Sequence, residues 1–281
     1  MFFVITLIYK VSIKLYNAES IGSVHMTNFN LFNLNAKENI KDYKRDDLEA
    51  YKQLRTNIEF SSIDKDIQVL VVTSSDSAEA KSTTAYNLAK VMAAQKNRVL
   101  LIDGDLRIPD IHKNLKLSNR NGLTNALINN DFDINAMGKY IQTLKVPNGI
   151  NDLFVLTAGT SIPNPLEVLS SKRFKEFIVF LRQHFNFIVI DAPPVLPVAD
   201  SIPISLSADG VLFCVASNQT QKERALTAVT QLRRAKVNLI GTVLTMIESK
   251  SNTYYNYNYN YSASVTTRKT LGHILKRKNH K

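Results

Sequence analysis

The sequence predicts an α/β fold in which a largely parallel sheet carries helices on both faces. Two observations point there. Short runs of Val, Ile and Leu recur along the chain and are apolar throughout, as in strands buried on both faces. Between them lie stretches with helical periodicity, and that alternation is the pattern of an α/β sheet. Composition agrees: 44% hydrophobic and 21% charged residues are ordinary for a globular protein. A length of 281 residues suffices for one large α/β domain with tails or for two small domains. The single cysteine, Cys214, excludes an internal disulfide framework and fits a reducing compartment.

Taken in order, residues 1–46 read as an N-terminal extension and irregular arm, 47–248 as the folded domain, and 249–281 as a tail. Phe2 to Tyr9 is an apolar run of eight, short of the roughly 20 residues a spanning helix needs. It also lacks the basic region and cleavage site of a signal peptide, and Met26 is an alternative start. Asp47–Phe60 is expected to be a helix with Leu48, Tyr51, Leu54 and Ile58 as its apolar stripe. Glu49, Lys52 and Arg55, three apart, are expected along one opposing face. Strands are expected at Ile67–Thr73, Arg98–Asp103, Leu153–Thr157, Asn186–Asp191, Gly210–Ala216 and Leu239–Met246. Helices are expected at Lys81–Gln95, Gly122–Ile128, Asn135–Thr143, Leu166–His184 (broken near Ser170 and Ser171) and Gln221–Ala235.

After Met246 the chain turns low-complexity, with Tyr254, Tyr255, Tyr257, Tyr259 and Tyr261 interleaved with Asn. Between Ser249 and Lys281 there are seven Lys or Arg and no acid, so much of the net charge of +11 belongs to a terminal arm. Such an arm suits an acidic surface, or simply aids solubility. Leu271, Ile274 and Leu275 share a helical face beside basic residues, which points to contact with a membrane surface. No nucleic-acid partner is expected.

The chemistry concentrates in Val69–Ala89, which reads as buried strand, tight loop and helix. That is the setting of a phosphate-binding loop of pattern G-x-x-x-x-G-K-[ST], with Ser75 and Ala80 here in the glycine slots. The fold is therefore P-loop NTPase-like. Backbone N–H groups of Asp76, Ser77, Ala78, Glu79, Ala80, Lys81, Ser82 and Thr83 would cradle a phosphate chain at the helix N-terminus. Lys81 would supply a point charge and Ser82 a hydroxyl ligand for Mg²⁺. Two acids, Asp103 and Asp191, end apolar strands, at the edge where ligands of open α/β sheets bind, and Asp105 follows two residues after the first. ATP and Mg²⁺ are the implied cofactors.

The Lys81-Ser-Thr loop, Leu101-Ile-Asp-Gly-Asp-Leu-Arg-Ile-Pro109 and Ile188-Val-Ile-Asp-Ala-Pro-Pro-Val195 resemble the Walker A, A′ and B motifs of bacterial tyrosine kinases. These are the cytoplasmic P-loop kinases of capsule and exopolysaccharide systems. Thr157–Leu169 and the tyrosine cluster are similar to the same family, and Glu49-x-x-Lys52-x-x-Arg55 resembles its ring-forming motif. The resemblance implies an autophosphorylating kinase in which Lys81 contacts phosphates and Ser82 and Asp105 hold Mg²⁺. It further implies that Asp191 supports the metal, and that Asp103 acts on the incoming tyrosine hydroxyl as base or orienting acceptor. The tyrosine cluster would be the autophosphorylation site, presented to a neighbour in a ring homo-oligomer. Partners implied are an integral-membrane polysaccharide co-polymerase-type adaptor and a cognate tyrosine phosphatase, with a cytoplasmic location at the membrane through that adaptor.

Three departures stand out. Positions 78 and 80 are usually Gly and here are Ala, Lys52 replaces an Arg, and the chain continues past the tyrosines. A left-handed backbone at Ala80 would cost roughly 1–2 kcal/mol and crowd the phosphates. Two other readings stay open: a weakly active or inactive regulatory module that binds the adaptor, and a positioning-type ATPase.

Overall fold

Strands apolar along their whole length need a helical layer on each side, and the computed structural model of the chain has both. Residues 1–248 form one unit, within which the structure describes residues 31–34, 45–61, 66–130, 132–146 and 151–247. The tyrosine cluster, the basic tail, the apolar run Phe2–Tyr9 and Met26 lie outside the described residues. The strands are β1 Leu31–Leu34, β2 Val69–Ser74, β3 Val99–Asp103, β4 Ile141–Leu144, β5 Leu153–Leu156, β6 Phe187–Asp191, β7 Gly210–Ala216 and β8 Leu239–Thr245. They form one sheet in the order β1-β8-β7-β2-β6-β3-β5-β4. Every neighbouring pair is parallel except β4 with β5.

Successive side chains of a strand point to opposite faces, so each apolar run supplies two cores. Leu70, Val72, Leu101 and Val189 pack with Leu54, Leu88 and Met92 under helices α1 (Arg45–Ser61) and α2 (Lys81–Ala93). Val69, Val71, Leu100, Ile102 and Ile190 face the other way, onto Phe174, Phe177, Ile178, Leu181 and Leu232. The helices there include α4 (Leu123–Asn129), α6 (Pro165–Ser170), α7 (Lys172–His184), α8 (Ser201–Leu206) and α9 (Lys222–Arg234). Short helices α3 (Ile111–Leu115) and α5 (Ile134–Met137) complete the set. The expected largely parallel α/β sheet is thus what forms. Among the described residues no helix is long and apolar enough to cross a membrane.

The differences from expectation have local causes. Leu31–Leu34, expected in an irregular arm, pairs parallel with β8 at the sheet edge; four residues carry too little periodicity to announce a strand. Asn135–Thr143, expected to be one helix, divides. Asp133 caps α5 by accepting from the Asn135 N–H, and Ile141–Leu144 then joins the edge of β5 antiparallel. Helices α3 and α8 are too short for a clear helical repeat, and α8 carries Pro203 in its first turn, where a proline is tolerated. The break in Leu166–His184 falls at Ser171, which follows α6 and caps α7 by accepting from the Phe174 N–H.

In α1 the apolar stripe holds for Tyr51, Leu54 and Ile58, which are buried, while Leu48 is 37% exposed. Glu49 and Lys52 are exposed and pair with each other at 3.1 Å. Arg55 does not share their face: it is buried, and its Nη1 donates to the Val91 carbonyl of α2 at 3.1 Å. Each i+3 step falls about 60° short of a full turn, so two steps carry the third residue round to the α2 side.

At the N-terminal end of β2 the Arg182 guanidinium grips Asp209 with two hydrogen bonds, of 2.7 and 2.8 Å. Asp209 also accepts from the Gln68 and Val69 N–H groups at 2.9 and 2.7 Å. Burial works to raise its pKa, but the Arg182 and backbone hydrogen bonds outweigh that and hold the carboxyl below the usual range. Asp209→Ala is expected to destabilise the domain by about 1–3 kcal/mol in urea unfolding, since it orphans these donors. Because the folded pKa is lowered, the stabilisation is complete above the unfolded value of about 4. It is lost as pH falls through the folded value, so the wild-type advantage over the variant should shrink in acid.

Candidate functional site

Three parallel strands meet where the sequence motifs end. β6 lies between β2 and β3, with Asp191 opposite Val72 on one side and opposite Asp103 on the other. The two acids that end separate apolar runs are therefore register partners. The turn after β3 closes on β6: the Gly104 N–H donates to the Asp191 carbonyl at 2.8 Å. A Cβ at Gly104 would sit 2.9 Å from that oxygen, so only glycine permits the approach. The segment after β6 zips along β2, with the Thr73 hydroxyl donating to the Pro193 carbonyl at 2.8 Å and the Val195 N–H to the Ser74 carbonyl at 2.9 Å.

Between β2 and α2 the chain makes the expected tight loop. Ala78 and Ala80 both take left-handed backbone, with φ of 62° and 61°. Ala80 occupies the helix N-cap, where its side chain has no oxygen to offer the first-turn N–H groups. The N-terminus of a 13-residue helix thus opens toward the carboxylates with its positive end uncapped by any side chain.

Lys81 lies at the centre. Its Nζ is 3.3 Å from Asp105 Oδ2, 3.8 Å from Asp191 Oδ1 and 3.4 Å from the Ser82 hydroxyl, and its side chain is only 11% exposed. Burial works to lower the ammonium pKa, but Asp191, Asp105 and Asp103 outweigh it and the net shift is upward. Lys81 is accordingly a fixed positive charge. Asp105 also accepts from the Ile108 N–H at 3.0 Å.

The two strand-end acids differ. Asp103 is fully buried and accepts from the Asp105 N–H at 3.3 Å and the Ile111 N–H at 3.1 Å. Burial, and then the Asp191 charge beside it, push its pKa well above the usual carboxylate range. Asp191 is fully buried as well, but neither of its carboxylate oxygens has a hydrogen-bond partner. Burial raises its pKa to about 6, with Lys81 and the Ser82 hydroxyl offsetting part of the shift.

Three carboxylates therefore gather round one ammonium, and the Asp191 oxygens make no close hydrogen bond, with only the Lys81 ammonium at 3.8 Å and the Ser82 hydroxyl beside them. That is the electrostatic setting a divalent cation corrects. Among the described residues no three His, Cys, Asp or Glu side chains close on a single point. Mg²⁺ keeps several waters and binds through one or two protein groups plus phosphate oxygens. Ser82, Asp105 and Asp191 are the hydroxyl and carboxylates that could hold such an ion.

The other residues expected at the site divide. Ser77 and Ala78 are exposed on the loop, and Ser82 and Thr83 are half-buried in the first turn of α2. Asp76 turns its carboxylate to a two-pronged pair with Arg224, and Glu79 is buried beneath the loop. The sequence reading missed Asp200, which is fully buried and pairs with Arg107 through bonds of 2.7 and 3.0 Å. It also missed Thr220 and Arg224. These partners lie 93 to 148 residues from the motifs they hold, beyond any spacing rule.

The left-handed alanines set a test. Ala80→Gly is expected to raise the unfolding free energy by about 1 kcal/mol, the relief of strain less the extra freedom of an unfolded glycine. That corresponds to a Tm higher by roughly 2–4 °C in thermal denaturation. With the Cβ gone, Mg·ATP should bind several-fold more tightly by calorimetric titration.

Residues 67–246 match the family model described as an AAA domain. The chain is similar to tyrosine-protein kinase YwqD of Bacillus subtilis strain 168, at 39% identity over 196 residues, spanning 70% of this chain and 79% of that relative. It is similar also to tyrosine-protein kinase CpsD of Streptococcus pneumoniae serotype 4, at 31% identity over 212 residues, 73% of this chain and 87% of CpsD. Among solved structures, the chimerical protein CapA2B2 superposes with a TM-score of 0.68 at 29% identity, covering 77% of this chain and 93% of that one. The matched residues 67–246 contain the phosphate loop and both acid-bearing strand ends, and by its likeness to these relatives the chain belongs to the bacterial tyrosine-protein kinase family.

Proposed function

We propose that this chain is an ATP-dependent, autophosphorylating protein-tyrosine kinase that regulates capsular or exopolysaccharide assembly and export. The observation that carries the reading is Lys81, held within 4 Å of Asp105 and Asp191 at the open N-terminus of α2. The link to polysaccharide rests on the family.

The residues divide the work. The loop N–H groups and the positive end of α2 bind the phosphate chain of ATP, and Lys81 exchanges its carboxylate partners for β- and γ-phosphate oxygens. Ser82, Asp105 and Asp191 would hold Mg²⁺, which would supply positive charge to offset the charge that develops on the transferred phosphoryl group. A tyrosine oxygen then bonds to the γ-phosphorus as the β–γ bridging bond breaks and ADP leaves. The phenolic proton goes to Asp103 or is oriented by it. A carboxyl with a raised pKa is better matched to a phenol of pKa ~10 than an ordinary one. Asp103 is sealed under the Ile111 N–H, so the segment leading into α3 must give way when the tyrosine arrives.

The donors of that hydroxyl are Tyr254, Tyr255, Tyr257, Tyr259 and Tyr261, presented to a neighbouring subunit of a ring to which α1 contributes the exposed Glu49 and Lys52, with Arg55 tying that helix to α2. The kinase works in the cytoplasm, brought to the membrane by an integral-membrane adaptor and reset by a tyrosine phosphatase, with the basic tail as a second contact to the membrane surface. A second reading, a weakly active module that regulates by binding, draws on the two strained alanines.

The experiment is incubation of the purified chain with Mg·ATP, with and without the adaptor's cytoplasmic tail, followed by phosphotyrosine detection. Labelling is expected to disappear in Lys81→Met and when the five tyrosines become Phe, and to fall about 10²–10⁴-fold in Asp103→Asn. If no Lys81-dependent labelling arises in either condition, the kinase reading is refuted and the binding-module reading stands.

A further inference from the structure

The phosphate loop of this chain contains no glycine between Ser74 and Thr83, yet two of its residues hold left-handed backbone. Strain of that kind persists only where the surroundings over-determine the conformation. The surroundings are four residues from outside the loop, Thr220, Thr245, Gln219 and Arg224. The Glu79 carboxylate, 2% exposed, accepts from the Ser75 hydroxyl and the Asp76 N–H within the loop, at 2.9 and 3.0 Å, and from the Thr220 hydroxyl beyond it. Thr220 is itself fixed, because its oxygen accepts from the Ala216 N–H at the end of β7 at 2.8 Å. The Glu79 carbonyl accepts from the Thr245 hydroxyl at the end of β8 at 3.0 Å, and the Ala78 carbonyl from the Gln219 amide at 3.2 Å. Asp76 is held through both carboxylate oxygens by Arg224 in the first turn of α9.

We infer that Thr220 and Arg224 are positioning residues for ATP binding, which act through Glu79 and Asp76 to keep the glycine-free loop in its phosphate-binding shape. This rests on the nucleotide-binding role of the loop proposed above. Two effects combine. The clamp braces Ala78 from both sides, at the Asp76 side chain and at Glu79, and Ala80 through the adjoining Glu79. Arg224 also neutralises a carboxylate in the very loop that must accept a polyanion. A lysine cannot reproduce the two-pronged grip, so charge alone is insufficient.

The test uses the full chain and reads Mg·ATP affinity by titration calorimetry beside KM and kcat for tyrosine labelling. Arg224→Met and Thr220→Val are expected to bind Mg·ATP about tenfold more weakly, with KM rising far more than kcat falls. Arg224→Lys should recover only part of the loss, Thr220→Ser nearly all of it, and the exchange Asp76→Arg with Arg224→Asp a large share. In an Ala80→Gly background, where one strained residue is relieved, the loss on Thr220→Val, which leaves the loop's charge unchanged, should shrink to within about threefold. Wild-type affinity in both Arg224→Met and Thr220→Val overturns the inference. So does an undiminished tenfold loss in the glycine background, the mark of a merely structural role. An intact chain that binds Mg·ATP tightly but yields no phosphotyrosine refutes the kinase reading and leaves the clamp standing.

Discussion

Placement of β6 between β2 and β3 is the constraint on which the rest depends. It sets Asp191 beside Asp103 across one ladder and beside the strand that feeds the phosphate loop across the other. Hydrogen-bond registers allow no sliding without moving every side chain to the wrong face. The two apolar layers hold that register, since each strand commits alternate residues to the cores of α1–α2 and of α7–α9. Lys81, in the first turn of α2, is then delivered to a point between acids that it could not reach if any of the three strands shifted.

The result is a site built against stability. Two fully buried carboxylates stand side by side with one ammonium near them. Burying a charge is costly even when it is paired, and the chain meets the cost by raising both acids' pKa values. For Asp191, raised to about 6, the folded state binds the proton more tightly than the unfolded chain does. Its contribution therefore favours folding most below the unfolded value of about 4 and declines as pH rises through the folded one. Such a site is a place where folding free energy is exchanged for a binding surface, and the strained alanines of the same loop are a second instance.

How much of this was legible in the sequence depended on the range of the cause. The strands of the sheet centre announced themselves because a strand buried on both faces must be apolar at every position. The Lys-Ser-Thr helix start and the strand-end acids were readable because each lies within a few residues of its element boundary. Leu31–Leu34 and Ile141–Leu144 were not, because edge strands are made by the neighbour they pair with rather than by their own pattern. Arg55 was misplaced for a geometric reason, the drift of i+3 spacing round a helix toward the α2 surface. Arg224, Thr220 and Asp200 were invisible, since nothing near them in the chain marks them as partners of Asp76, Glu79 and Arg107.

The sequence by itself determined the α/β class, the apolar strands, the position of the phosphate loop and which acids end which strands. These follow from local rules of periodicity, capping and turn chemistry that act over a few residues. The tertiary structure decided that Asp103 and Asp191 are neighbours and that one accepts from backbone N–H groups while the other has chiefly the Lys81 ammonium, at 3.8 Å, to face. It also decided that Ala78 and Ala80 take the left-handed conformation under a clamp from β7, β8 and α9. Those outcomes come from sheet order and from contacts between segments far apart in the chain, where the free energy of packing, not local preference, selects the arrangement. The loop's lack of glycine was plain from its residues, and what holds it in shape without glycine was settled only by the fold.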